Sequence, residues 1–191
     1  MTLTTGGDAR LVVLLEGPSD AAAVRALMER QGIDPSPVEL VVLGGVTNVG
    51  RVLKEVRLLR GDVDVVGLCD AAETRFVERA LVDDGLPVTD ASDLPVYGFF
   101  VCEADLEEEL IRALGPDRAL EVVEAAGLGG KLDALRTQRA WVDRPLAEQL
   151  HRFCGVASGR KELAAGILAA ALAEDEVPEP LAMLLDRLRW A

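Results

Sequence analysis

The chain has 191 residues, half of them apolar, which is enough to bury a sizeable core, and 33 acidic side chains against 20 basic ones leave a net charge of −13. That balance argues against a protein that grips nucleic acid through a broad basic face, and it favours basic partners or a dense metal-binding acid cluster. No stretch approaches the roughly 18 consecutive apolar residues of a membrane span, and MTLTTGGDAR lacks a basic-then-apolar signal pattern, so a cytoplasmic protein without membrane association is expected.

In chain order, residues 1–10 read as a leader. Leu11–Leu15, LVVLL, has the length and β-branched content of a buried parallel strand. The run stops at Glu16, and Gly17–Pro18 force a turn. Ser19 can cap a helix and Asp20 falls in its first turn, where the helix dipole favours an acid. Ala21–Gln31 keeps helical spacing and Gly32 ends it. Glu39–Leu43 is a second short strand. Gly44–Gly50, GGVTNVG, leads into the helix Val49–Leu59; it could cradle phosphate on its amides, but it lacks the Gly-Lys-Ser/Thr ending of a nucleotide loop, so ATP hydrolysis is not expected. Val63–Leu68 is the third strand, ending at Cys69–Asp70, with Glu73 opening the helix Glu73–Val82. Val96–Val101 is the fourth, followed by CEADLEEELIRAL, where Glu103, Asp105, Glu107, Glu108 and Glu109 surround another helix start. From Gly115 onward only helices are expected: Pro116–Ala126, Lys131–Arg139, Pro145–Phe153, Gly159–Ala173 and Glu179–Trp190. The break Cys154–Gly159 delivers Arg160–Lys161 to a helix N-terminus, against the dipole.

Strands alternating with helices imply right-handed parallel crossovers, whose strands share one C-terminal edge. Three of the four strands end in carboxylates, so acids should converge there, on the edge where ligands bind in such sheets. Asp20 alone would be an ordinary helix-start acid. Glu16 is harder to dismiss, because a charge ending a buried strand costs free energy unless it is paired or holds a metal. His151 and Cys154 make half a zinc site, and nothing supplies the other half at proper spacing. The three cysteines, Cys69, Cys102 and Cys154, fit reduced thiols rather than a disulfide framework. Arg136, Arg139, Arg144, Arg152, Arg160 and Lys161 fall close together in sequence, either as a local basic patch or as a solvated helix surface.

The stretches LLEGPSDAAAV, VVGLCDAAE, VCEADLEEELI and SGRKELAAGILAAAL, in this order, resemble the Toprim domain of OLD-family (overcoming lysogenisation defect) nucleases. The resemblance implies an α/β fold with a four-stranded, mainly parallel sheet flanked by helices and a C-terminal helical lobe. The expected division is a Toprim domain over 11–114 and a helical extension over 115–191 packed on it. The ATPase domain that OLD proteins carry ahead of Toprim has no counterpart here, so the chain resembles a stand-alone Toprim module that would work with a separate ATPase partner. By resemblance Glu16 is a metal ligand and acid or base, with Asp20 the acid one helical turn later. Asp70 is the first aspartate of the Asp-x-Asp motif, Asp105 and Glu107 are later acidic ligands, and Lys161 is a late basic residue that stabilises charge in the transition state. One departure stands out: the second aspartate is Ala72. Glu73 follows directly and could substitute, although a one-residue shift changes its direction and puts two-metal chemistry in doubt.

Phosphodiester cleavage with Mg²⁺ or Mn²⁺ needs hard oxygen ligands of this kind. Two functions follow: a metal-dependent nuclease acting on nucleic acid, DNA ahead of RNA, or a catalytically impaired Toprim-like binding or regulatory module working with a partner protein.

Overall fold

The structure, a computed structural model, describes residues 9–155 and 158–191. Most of the expected leader, and the middle of the expected break at Cys154–Gly159, lie outside the described residues. Four strands, β1 (Leu11–Leu15), β2 (Val38–Val42), β3 (Asp64–Asp70) and β4 (Phe99–Cys102), form one sheet in the order β2-β1-β3-β4. Every neighbouring pair is parallel, so the sheet expected to be mainly parallel is wholly so. The helices α1 (Pro18–Arg30), α2 (Val49–Arg60) and α3 (Thr74–Asp83) make the crossovers.

The period of two along β1 divides the core. Leu11, Val13 and Leu15 face one side, where they pack with α1 and the C-terminal helices. Val12 and Leu14 face the other, with Val49, Val52, Leu53 and Val56 of α2 and Val77 and Leu81 of α3. A strand apolar at every position is what burial on both faces requires. The remaining helices are α4 (Leu106–Leu114), α5 (Pro116–Ala125), α6 (Gly129–Arg136), α7 (Leu146–Gly155), α8 (Ser158–Ala171) and α9 (Glu179–Arg189). Residues of all six join the core on the β1–α1 side.

Several boundaries differ from the expected ones. The fourth strand begins at Phe99 rather than Val96, because Ala91–Tyr97 winds into a 3₁₀ helix. Asp90 caps that turn by accepting from the Ser92 N–H, and Gly98 closes it at φ +82°, a conformation other residues rarely adopt. β3 runs two residues further than expected, through Asp70, which pairs in register with Cys102 on the last rung of the sheet. α1 begins at Pro18, not Ala21, since proline is well suited to a first helical turn. Ser19 is therefore buried inside the helix rather than capping it, and Gly17 takes the cap position.

α8 lies along α1 by means of small side chains on both. Gly166 faces Ala22, and a methyl at Gly166 would sit 3.7 Å from the Ala22 Cβ and 3.9 Å from its carbonyl oxygen. That is ordinary contact for one carbon and no room for more. Gly166→Ala should therefore hold or slightly raise thermal stability, since glycine inside a helix costs about 0.5–1 kcal/mol relative to alanine. Gly166→Leu should lower stability by on the order of 1–3 kcal/mol through overpacking, read from chemical denaturation.

Candidate metal centre

Because β1 and β3 run parallel and adjacent, their C-terminal ends open on the same edge. Glu16 follows the last residue of β1, and Asp70 ends β3. After Asp70 the chain tightens at once into a 3₁₀ turn, Ala71–Glu73. Three residues per turn stack positions i and i+3 over one another, so Glu73 returns to the side of Asp70. One carboxylate oxygen from each of Glu16, Asp70 and Glu73 lies within 4.8 Å of the others. The expectation that a one-residue shift would turn Glu73 away holds for an extended strand, and here the strand has ended. Ala72, in the position of the second aspartate, is exposed.

Asp20, Asp105 and Glu107 are outside that trio but share its surroundings. Together with Glu16, Asp70 and Lys161 they line a cavity of about 70 Å³. Each is tied into the local structure. Asp20, in the first turn of α1, accepts the Gly17 N–H at 2.7 Å. Asp105 is the N-cap of α4, accepting the Glu108 N–H at 2.8 Å, while its other oxygen takes a hydrogen bond from His151 Nε2 at 2.7 Å. Glu107 is buried and pairs with Lys161 Nζ at 3.3 Å. His151, which the sequence offered only as half a zinc site, thus belongs to the edge of this one; nothing in its spacing, 46 residues from Asp105, signals the pairing.

The donors suit a hard cation. They are carboxylate oxygens, and two buried ones, Glu73 Oε2 and Glu107 Oε1, have no hydrogen-bond partner, which leaves them costly unless a cation or water compensates. Cys69 and Cys102 border the cavity, and burial pushes both thiols up, Cys69 to about 12.

Burial sets the electrostatics. It pushes Glu16 up to about 7, helped by a carboxyl hydrogen bond and repulsion from Glu73 and opposed by Lys161. It pushes Asp70 up to about 7 as well, with repulsion from Glu16, Asp105, Asp20 and Glu73 adding to it. Asp20 and Glu107 are raised by burial too, while the Gly17 N–H restrains the first and Lys161 the second. For Lys161, burial works downward, and the carboxylates of Glu107, Asp20 and Asp105 together outweigh it, so the ammonium is held above its ordinary value.

Four of the basic residues clustered in sequence have partners of their own. Arg136 bonds Gln149, Arg144 pairs with Glu148, Arg152 lies over the Trp141 ring and Arg160 over Phe153. Only Lys161 among them lines the cavity.

A wholly parallel sheet with helices on both faces and carboxylates gathered at its C-terminal edge is a Toprim-type fold. The chain has, more particularly, the fold of the C-terminal region of OLD proteins. Its structure matches the C-terminal region of the Burkholderia pseudomallei OLD protein with a TM-score of 0.68 at 18% identity, covering 95% of this chain and 97% of that one. It matches the C-terminal region of the Xanthomonas campestris pv. campestris OLD protein, phased with mercury, with a TM-score of 0.67 at 24% identity, covering 95% of each chain. The platinum-phased structure of the same region gives 0.65 at 26% identity, with 95% and 92% covered. No family model and no curated protein sequence matches the chain. Among the described residues no helix is long and apolar enough to cross a membrane.

The raised carboxyls have a measurable consequence. Between the ordinary values of 3.8 for Asp70 and 4.5 for Glu16 and their folded values of about 7, the folded protein binds more protons than the unfolded chain. Stability of the metal-free protein should therefore fall as pH rises through that window and level off above it. Asp70→Asn should flatten the fall. Saturating Mn²⁺ should offset it, because a bound cation favours the charged carboxylates; thermal melts across pH, with and without metal, check both.

Proposed function

We propose that the protein is a divalent-metal-dependent nuclease of OLD Toprim type, cleaving phosphodiester bonds in nucleic acid, DNA ahead of RNA, with Mg²⁺ or Mn²⁺. The observation that carries this is the convergence of Glu16, Asp70 and Glu73 at the C-terminal edge of the sheet, with Lys161 on the same cavity. The three carboxylates would hold the cation, which when bound polarises a phosphoryl oxygen and lowers the pKa of a coordinated water. By the same resemblance Glu16 would also serve as the acid or base of the reaction. Lys161, fixed by the buried Glu107, presents an ammonium to charge developing on the phosphoryl oxygens. Asp105 and His151 hold the start of α4, which carries Glu107. Arg152 and Arg160, resting on Trp141 and Phe153, supply cationic groups for an approaching phosphate backbone on a chain whose charge otherwise repels one. By the same resemblance, an ATPase supplied by a separate chain is the proposed partner.

Plasmid nicking tests the reading. Mg²⁺ or Mn²⁺ should support nicking and EDTA should stop it; Glu16→Gln and Asp70→Asn should abolish it. With metal just saturating the wild-type protein, Lys161→Ala should lower the rate about 10²-fold, the scale of one lost electrostatic donor. Arg160→Ala should lower it far less, since its guanidinium lies over Phe153. A protein that binds Mn²⁺ yet nicks neither DNA nor RNA would instead be a binding module working with a partner.

A further inference from the structure

The glycine-rich loop before α2 and the basic side chains of that helix have no part in the metal centre, yet they stand beside it. α2 follows β2 and α3 follows β3, so both helices start at the edge of the sheet that carries the acids. They meet through small residues: a methyl at Gly50 would lie 3.6 Å from the Ala80 Cβ. Beside that contact is a groove of about 470 Å³, lined by Arg51 and Lys54 of α2, Arg79 of α3 and Thr47 of the loop. α2 carries four basic side chains and one acid, in a chain whose net charge is −13. The three groove cations are exposed. Arg51 pairs with Glu55 at 3.2 Å and Lys54 with Asp83 at 3.5 Å, both in contact with solvent, so either cation exchanges its partner for another anion at little cost. Among the described residues Arg79 has no ion-pair partner.

Position shows what such a groove would hold. α3 starts at Thr74, directly after Glu73 of the acid trio. Arg75 and Arg79, four residues apart, share a face of α3, and the Arg75 guanidinium carbon lies 4.8 Å from the centre of the Phe76 ring, which steadies it. At 1.5 Å of rise per residue, Arg79 stands roughly 9 Å along the chain from Glu73, or about three phosphates of a duplex strand. Asn48, in the cap position of α2, turns its amide to the carbonyls of Leu43 and Gly44 at 3.1 and 3.4 Å, so the first turn of α2 has no side-chain cap and its positive end stays open at the groove. Arg152 and Arg160 belong to α7 and α8, which pack on the opposite face of the sheet from α2 and α3. Cations therefore flank the acidic edge on both sides. We infer that the α2–α3 groove holds the phosphodiester backbone of the nucleic acid, which crosses the edge of the sheet from the α7–α8 side to the α2–α3 side over the metal centre. This rests on the nuclease reading above and adds to it the surface that grips the substrate.

The test is fluorescence anisotropy with labelled DNA oligonucleotides, duplex and single-stranded, of two unrelated sequences. Ca²⁺, a hard cation that carboxylates accept, fills the acid cluster, and a gel checks that the probes stay whole. The wild type should bind, with affinity falling steeply as salt rises. Arg51→Ala, Lys54→Ala and Arg79→Ala combined should weaken binding of both sequences alike, by about 10-fold or more. The same variant should flatten the slope of log affinity against log salt by about 2–3, the effect of three lost phosphate contacts. Arg79→Glu alone, which breaks no native pair, should shift both quantities the same way by less. Arg187→Ala, which removes an exposed cation on α9, should change neither. In plasmid nicking the triple variant should raise KM and leave kcat close to wild type, because the groove does not touch the reacting atoms. Groove variants that keep wild-type affinity and slope, or that lose affinity for one sequence only, would overturn the inference. A protein that binds through the groove and never nicks keeps the groove and sinks the nuclease reading; one that nicks while the triple variant keeps its KM sinks the groove alone. A wild type that binds neither probe sinks both.

Discussion

The ends of two buried parallel strands carry acids, and the protein must compensate them. β1 is enclosed on both faces, so Glu16 leaves the core at a point where water reaches it only from the edge of the sheet. Asp70 sits on the last rung of β3 beside it. Burial carries both to about 7, helped at Glu16 by the hydrogen bond and charge of Glu73 and at Asp70 by repulsion from Glu16 and the neighbouring acids. Such an arrangement is unfavourable for an empty site and favourable for a cation, and much of the surrounding structure answers it. The 3₁₀ turn after β3 adds a third oxygen donor, and backbone N–H groups at the starts of α1 and α4 hold two further acids in place.

The C-terminal helices enter through packing. α8 has little polarity of its own beyond its first turn; what it has is a run of small residues that lets it settle along α1. That docking brings Lys161 to Glu107, and the buried ion pair joins the helical part of the chain to the edge of the sheet. An ion pair with one buried partner contributes little net stability, because desolvation offsets the attraction. Its value lies in fixing an ammonium at a chosen distance from the acids, with Glu107 unable to turn away into solvent.

Much of this was legible in the residues. LVVLL ending in Glu16 reads as a strand capped by an acid, and the alternation of strands and helices implies a common edge without any knowledge of contacts. Lys161 stands out in the sequence because a cation at a helix start opposes the dipole. The misses have local causes. Val96 and Tyr97 have strand-like side chains, but Pro95 and Gly98 impose a 3₁₀ turn, so tertiary and turn chemistry override propensity there. Glu73 could be named as a substitute for the missing aspartate, but not how its direction is restored, because the chain changes period from two to three after Asp70. His151 could not be placed because its partner lies on another helix, 46 residues away. Which of the five acids lining the cavity accept N–H groups is set by the turns they start, and sequence spacing does not report those bonds.

The central claim is that Glu16, Asp70 and Glu73 form a cation site although the Asp-x-Asp motif is broken at Ala72. X-ray diffraction from crystals grown with Mn²⁺, collected at the manganese edge, tests it most directly. The expected result is an anomalous peak within roughly 2.5 Å of a carboxylate oxygen from each of the three residues, the range of hard-cation–oxygen bonds. A peak that leaves Glu73 uncoordinated, or bound Mn²⁺ located elsewhere on this acidic surface with the three carboxylates bare, would contradict it.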